Sequence, residues 1–370
     1  MECFIPKGKK GKCHRGSNYK MSKELLTVIV PAYNVEAYVE QCLNSLWMQT
    51  VHNHKVIIVD DGSKDKYTSQ ICKSYAQKHP EMFTYIYQEN KGLGAARNTG
   101  LKLVDTEYVG FLDSDDWLVP NYIEVVTKEL EKYQDDRPDL IFTLPIIYDS
   151  LTQNDAEWYD KGLFYQIFCS GKKSISAKED VRLYNLEPNA CRRIYRVDFI
   201  KKCNFRFPEG VKWEDIYPHF WLLHEAKSCI GIGDVGFHYR KNIAGQITGQ
   251  SGSGRLDIIN VFQDVFDYAE RGHCEWKVIR TMIKMLNNYT KWCIDMSDIN
   301  TRRELVVRTS DLYRSIPGKY LQQYFKEASQ GKQERLFVWC MRHDWAKSFF
   351  YDYLPEELMR NVSNRLLRRR

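Results

Sequence analysis

Phe111-Leu112-Asp113-Ser114-Asp115-Asp116-Trp117 places a cluster of carboxylates directly behind the apolar run Tyr108-Val109-Gly110-Phe111-Leu112. Such a run reads as a buried strand, and an Asp-x-Asp at its end sets hard oxygen donors where a sheet edge opens to solvent. That donor type suits Mg2+ or Mn2+, which prefer carboxylates and are commonly shared with a phosphate. Alone, the cluster reads equally well as a solvated acidic turn ahead of a helix starting at Asn121. The flanking sequence has to decide.

Upstream, short β-branched runs alternate with helix-length amphipathic stretches. Strands are predicted at 26–30, 55–59, 84–87, 108–112 and 140–143, with helices near 37–49, 66–78, 92–103 and 121–133. Strands of four or five apolar residues separated by single helices indicate βαβ units and a mostly parallel sheet. Ligands of such sheets bind beyond the carboxyl ends of the strands. Three of those ends carry polar residues: Pro31-Ala32-Tyr33-Asn34, Asp60-Asp61-Gly62-Ser63 and Asp113-Ser114-Asp115-Asp116. Any one of them is ordinary turn chemistry, but three on one edge of one sheet make a site.

The remaining composition bounds the answer. At 370 residues, 43% hydrophobic and 28% charged, the chain is long enough for one large core or two domains. It has no run of eighteen apolar residues, and its first twenty residues lack the apolar segment of a signal peptide. Residues 1–24 instead read as a basic, disordered tail carrying Lys7-Gly8-Lys9-Lys10-Gly11-Lys12. The 11 cysteines are odd in number and contain no C-x-x-C pair, which argues for buried thiols in a reducing cytoplasm. The net charge of +6 is concentrated in that tail and in Arg365 with Arg368-Arg369-Arg370. These clusters suit peripheral contact with an anionic membrane surface; the plainer reading is a solvated terminus, and no nucleic-acid partner is expected.

With the strand ends in place, the order of motifs meets a known pattern. Thr27-Val28-Ile29-Val30-Pro31-Ala32-Tyr33-Asn34, Val59-Asp60-Asp61-Gly62-Ser63, Asn90 to Gly100 and Phe111 to Asp116 together resemble the family 2 glycosyltransferases of GT-A fold. The resemblance implies an α/β, Rossmann-like GT-A domain over 25–248, with a donor-nucleotide half at 25–122 and an acceptor half at 123–248. A helical region follows at 249–370, and Gly249 to Gly254 reads as a flexible linker or mobile loop. The activity implied is metal-dependent, inverting transfer of a sugar from a UDP-sugar to a hydroxyl of a glycan, lipid-linked or glycoprotein acceptor in cell-surface polysaccharide synthesis. The implied setting is the cytoplasm, peripheral to a membrane, with self-association through the C-terminal helices.

The resemblance also distributes roles. Asp61, with Asp60 beside it, would accept from a nucleobase ring N–H, while Tyr33 lies against the base and Pro31 and Ala32 line the pocket with backbone. Arg97 and Asn98 would border the donor, Arg97 pairing with phosphate or with the carboxylate cluster, or forming a structural salt bridge. Asp115 would hold the metal, assisted by Asp113, which together with Ser114 would also hold the donor; Asp116 would support or cap. Glu214-Asp215 resembles the family's segment at a helix head, with Asp215 as general base and Glu214 orienting it. The helix N-terminus would keep Asp215 ionised at neutral pH. His238 is a further metal ligand or a structural strand histidine, and Arg240 would meet the diphosphate. Trp213 would stack on an acceptor sugar or anchor the helix.

Departures from the family pattern fall at Gln246, in the stretch resembling the family's donor-closing segment, and at Cys191-Arg192, which would border the acceptor side. Lys91-Gly92-Leu93-Gly94 lacks the third glycine of a dinucleotide fingerprint, and close backbone approach with helix entry accounts for it. Two other readings remain open on sequence alone. One is a nucleotidyltransferase, which would want a Gly-rich basic loop after the first strand in place of Pro31-Ala32-Tyr33-Asn34. The other is a non-catalytic nucleotide-sugar or polyanion-binding protein.

Overall fold

The computed structural model describes residues 24–169, 171–243, 246, 249–272, 274–327 and 331–343. The basic clusters at both ends, and most of the segment 244–248, lie outside them.

The chain opens with β1 (Leu26–Ala32), α1 (Val39–Trp47), β2 (His54–Asp60), α2 (Thr68–Lys78), β3 (Phe83–Tyr87), α3 (Leu93–Leu101) and β4 (Tyr108–Phe111). All seven residues of β1 are buried, as a strand covered on both faces requires. Helix α1 turns Val39, Cys42, Leu43 and Leu46 into the core. Strands β3, β2, β1 and β4 lie side by side and parallel, with Ala32 opposite Asp60 and Ile29 opposite Phe111. The sequence runs outward from β1 to β3, then returns to place β4 on the other flank of β1. A reversal of that kind opens a crevice at the carboxyl ends of the strands. The predicted strands and helices of this half all form, within a few residues at their ends.

Beyond β4 come β5 (Trp117–Leu118), α4 (Tyr122–Glu131), β6 (Leu140–Asp149), β7 (Asn154–Glu157), α5 (Lys161–Phe168), β8 (Arg193–Arg196), α6 (Val197–Lys202), α7 (Ile216–Glu225) and β9 (Cys229–Lys241). Here the pairing is mixed: β8 is antiparallel to β4 and β6, while β9 runs parallel to β6 and antiparallel to β5. The β6–β9 register shifts around Leu144 and Pro145, where proline has no N–H to give to the ladder.

The C-terminal region is helical: α8 (Asp257–Arg271), α9 (Trp276–Met296), α10 (Ile299–Ser315), α11 (Gly318–Lys326) and α12 (Lys332–Arg342). Helix α8 buries Ile258, Ile259, Val261, Phe262, Val265 and Phe266 between α7 and α9. The stretch read as a flexible linker or mobile loop makes hydrogen bonds to its surroundings. Gln250 accepts from Lys212 Nζ through its side chain (2.5 Å) and from Arg255 Nε through its carbonyl (2.6 Å), and Ser251 O accepts from Asp298 N–H (3.2 Å). Among the described residues no helix is long and apolar enough to cross a membrane, and the described cysteines are free thiols.

Candidate active site

The carboxyl ends of β1 and β2 are stitched into one rim. Asn34, in the left-handed region at φ 52°, donates its N–H to Ser63 Oγ (3.1 Å) and accepts from the Lys64 and Asp65 N–H groups (2.7 and 3.2 Å). Tyr33 beside it is 41% exposed, a ring face open to a ligand. Pro31 and Ala32 close β1, and the Ala32 carbonyl accepts from Asp61 N–H at 2.9 Å.

The two aspartates after β2 are fixed by internal partners. Asp60 is fully buried and accepts from Ser63 N–H (2.9 Å), from Tyr85 Oη (2.8 Å) and from Ser69 Oγ. Burial alone would raise its pKa, but those hydrogen bonds outweigh burial and hold it below the usual carboxylate value. Asp61 accepts from Gln88 Nε2 (2.7 Å) and from the N–H groups of Lys91 and Gly92 (both 2.9 Å). A carboxylate has about four lone-pair positions, so three internal bonds leave Asp61 one for a nucleobase. Its first task is to hold the loop that enters α3.

Arg97 links the two halves. Its guanidinium is buried between the faces of Phe111 and Phe207, 5.8 and 5.3 Å from their centroids. One nitrogen donates to Asp113 Oδ1 (2.8 Å) and the other to Glu214 Oε1 (2.5 Å). Of the partners considered for Arg97, the structure shows carboxylates, and it adds Glu214, 117 positions away in the chain. Asn98 does not face outward: its amide donates to Phe207 O and Glu209 Oε1 (both 2.9 Å) and accepts from Phe207 N–H (2.9 Å). It clamps the irregular segment that leads to Glu214. Gly94 allows the same approach, since a Cβ there would lie 2.1 Å from the Pro208 carbonyl oxygen.

In the acidic cluster, Ser114 and Asp116 are buried and Asp113 is partly open. Asp115 is pushed up to about 6, first by burial and then by Asp113. Asp116 accepts from Arg240 N–H (2.7 Å) through one oxygen, and its other carboxylate oxygen is buried without a partner. An orphaned carboxylate oxygen and a carboxylate destabilised by its neighbour are what a divalent cation would relieve. Among the described residues, however, no three His, Cys, Asp or Glu side chains gather as a ready metal group. The cluster fits a cation that takes one or two carboxylates from the protein and the rest from phosphate and water.

His238, read as a metal ligand or a structural strand histidine, and Arg240, expected to meet the diphosphate, both lie on β9. His238 does not join the carboxylates: its ring lies flat on Trp117 (4.5 Å, 5° between planes) and its Nε2 faces Asp155 at 4.0 Å. Burial lowers its pKa. Arg240 is buried over Trp117 (4.5 Å) and Tyr38 (4.9 Å) and donates to the Asp115 carbonyl (2.7 Å) and to Gln41 Oε1 (2.6 Å). It braces the backbone that presents Asp115.

Glu214 and Asp215 precede α7, and Trp213 before them holds φ at 67°, a conformation that side-chain-bearing residues adopt at a cost. The Trp213 ring packs edge-on against Trp292 (5.2 Å) and Tyr289 (6.2 Å) of α9, which is the anchoring role. Asp215 does not cap α7 with its side chain. Its pKa is pushed up to about 8, chiefly by burial, then by Glu214, against the pull of Arg97 and Arg193. The expectation that the helix N-terminus would keep it ionised is thus reversed: adjacent carboxylates and desolvation outweigh a dipole worth a few tenths of a kcal/mol to about 1 kcal/mol.

Behind Asp215 lies a charged layer that sequence reasoning missed in part. Arg192 is fully buried and bonds Asp160 (2.6 Å), Arg193 meets His219 Nδ1, and Glu187 accepts from Tyr289 Oη (2.8 Å). Only the 188–195 segment stood out in the sequence; Asp160, Glu187 and Tyr289 carry no local signature.

An open α/β sheet with a switch point at β1, a polar rim at the ends of β1 and β2, and an acidic strand end joined through Arg97 to Glu214 defines a GT-A fold. The fold matches that of S. aureus TarS crystallised with UDP-GlcNAc, at a TM-score of 0.67 and 18% identity over 91% of this chain and 92% of that one. Residues 27–162 match the profile described as Glycosyl transferase family 2. Bacillus subtilis (strain 168) EpsH, a glycosyltransferase by name, is 40% identical over 231 residues, 60% of this chain and 63% of EpsH. The minor teichoic acid biosynthesis protein GgaB of the same organism is 27% identical over 74% of this chain and 30% of its own length. The chain spans 16%, 63%, 31% and 30% of the first four curated relatives it matches.

Proposed function

We propose that this chain transfers a sugar from a UDP-sugar to a hydroxyl of a glycan, glycolipid or glycoprotein acceptor, with inversion at the anomeric carbon and with a divalent cation bound. One observation carries the reading: Arg97 ties Asp113 of the strand-end cluster to Glu214 beside Asp215, so donor-side and base-side groups form one constellation. The UDP-GlcNAc in TarS and the teichoic-acid role of GgaB support a UDP donor and a cell-surface polysaccharide.

In this mechanism Tyr33 and the one open position on Asp61 receive the nucleobase. Asp215 takes the proton from the acceptor hydroxyl as that oxygen attacks the anomeric carbon and the bond to the diphosphate oxygen breaks, releasing UDP. A base with a pKa close to the working pH suits this step better than an ordinary carboxylate. Asp113 and Asp115 would hold Mn2+ or Mg2+, which supplies charge neutralisation for the departing diphosphate. Arg97 holds Glu214 in place, and Phe111 and Phe207 shield that pair from water. The same reading puts the enzyme in the cytoplasm, where its basic ends would meet an anionic membrane surface.

The test is nucleoside-diphosphate release from a panel of UDP-, GDP- and dTDP-sugars with Mn2+ or with EDTA. Metal-dependent release from one UDP-sugar is expected; equal release from all three classes, or release indifferent to EDTA, contradicts the reading.

A further inference from the structure

Glu214 and Asp215 are the middle residues of a turn, closed by the Ile216 N–H donating to the Trp213 carbonyl at 3.2 Å. Trp213, which opens the turn, holds φ at 67°, and a bulky residue keeps that conformation only where its surroundings over-determine it. Those surroundings come from the helical region. Asp257, the first residue of α8, accepts from the Lys212 N–H at 2.9 Å. The Lys212 ammonium donates to Gln250 Oε1 at 2.5 Å, and its stem crosses Gly254, where a Cβ would run into that same side chain. One residue on, the Trp213 ring packs edge-on against Trp292 of α9 at 5.2 Å. Trp292 is backed by the buried Arg255, whose guanidinium lies 4.5 Å over its ring while Nε donates to the Gln250 carbonyl at 2.6 Å.

We propose that residues 250–257 and Trp292 form a clamp on Lys212 and Trp213 that aims the Glu214–Asp215 turn, with Asp257 and Trp292 as positioning residues for the transfer step; this rests on Asp215 being the base. Arg97 grips the same turn from the donor half through Glu214, so its placement is fixed from two sides. The stretch read as a linker thereby gains a task in the site. Loosening the clamp acts on rate more than on donor binding. A catalytic group misplaced by about 1 Å costs about 10²-fold in turnover, whereas the rim at Tyr33 and Asp61 stands on the ends of β1 and β2. Asp257 also places a negative charge in the first turn of α8, which favours that helix by itself. The two roles are separable, because Asn lacks the charge but keeps a carbonyl oxygen that can accept from the Lys212 N–H.

The test compares kcat, donor KM and UDP affinity by calorimetry for wild type, Asp257→Ala, Asp257→Asn, Trp292→Leu and Asp215→Asn. Turnover of a UDP-sugar on one acceptor is expressed per UDP-binding site, so that unfolded protein does not count. Asp257→Ala should lose about 10- to 100-fold in kcat with donor KM and UDP affinity unchanged. Asp257→Asn should recover most of that loss, and Trp292→Leu should lose kcat in the same way. Wild-type kcat per site in Asp257→Ala overturns the proposal. So does an equal loss in Asp257→Asn, which would reduce Asp257 to a charge at a helix start. If Trp292→Leu does not fold, the two Asp257 variants decide alone. Wild-type kcat in Asp215→Asn removes the base assignment and the clamp with it; a loss there beside an unaffected Asp257→Ala removes the clamp alone.

Discussion

Replacing Arg97 with methionine keeps much of the side-chain volume and deletes the charge. The guanidinium is 3% exposed, Glu214 7% and Asp113 27%, so two carboxylates lose their common cation in a poorly solvated place. Breaking one partner out of a buried pair costs about 3–5 kcal/mol, because the charge left behind has no compensation. The open side of Asp113 argues for the lower half of that range, with most of the loss arising at Glu214. Arg97→Lys retains the charge but cannot fork to both acceptors; losing one charge-assisted bond costs about 1.5–3 kcal/mol. Urea unfolding followed by tryptophan fluorescence reads both as a lower midpoint at unchanged slope. The double variant Arg97→Met/Glu214→Gln should recover part of the loss, since the stranded charge is then gone. If Arg97→Met unfolds within about 1 kcal/mol of wild type, or the double variant shows no recovery, the reading of Arg97 as the charge bridge is wrong.

Three further outcomes follow from the same structure. Asp215 has a folded-state pKa raised to about 8, above the ordinary aspartate value, so it favours folding below about pH 4 and that contribution is lost as pH rises toward 8. Asp215→Asn should therefore leave stability unchanged at pH 4 and raise it by about 1–3 kcal/mol at pH 8–9, read by urea unfolding across that range. Asn98→Ala removes three hydrogen bonds to the 207–209 segment and should cost about 1–3 kcal/mol while lowering kcat more than donor affinity. Gly94→Ala pushes a methyl into the Pro208 carbonyl and should displace that same segment, so turnover falls while UDP binding by calorimetry persists.

The donor half was legible because its information is local. Each strand of β1 to β4 is a short apolar run, and each polar motif follows its strand directly, so chain order alone brings Tyr33, Asp61 and Asp113 to one sheet edge. Gly94 was likewise readable as a close approach, although its partner Pro208 was not. What failed to show was contact between distant segments. Nothing near Asn98 says that its amide is consumed by Phe207, and nothing near His238 says that Trp117 lies under its ring. The ionisation of Asp215 was misjudged for the same reason. A helix N-terminus is visible in sequence, whereas burial, the Arg97-bound Glu214 and the Tyr289-bound Glu187 exist only in the fold.

The central claim is that Asp113 and Asp115 serve donor binding while Asp215 performs the proton transfer. Wild type, Asp115→Asn and Asp215→Asn should be compared by UDP calorimetry with Mn2+ or EDTA and by UDP-sugar turnover on one acceptor. The account predicts that Asp115→Asn loses the metal-dependent part of UDP binding, whereas Asp215→Asn binds UDP as wild type does and loses about 10²–10⁴ in kcat. Wild-type turnover in Asp215→Asn, or UDP affinity unaffected by EDTA in the parent enzyme, would contradict it.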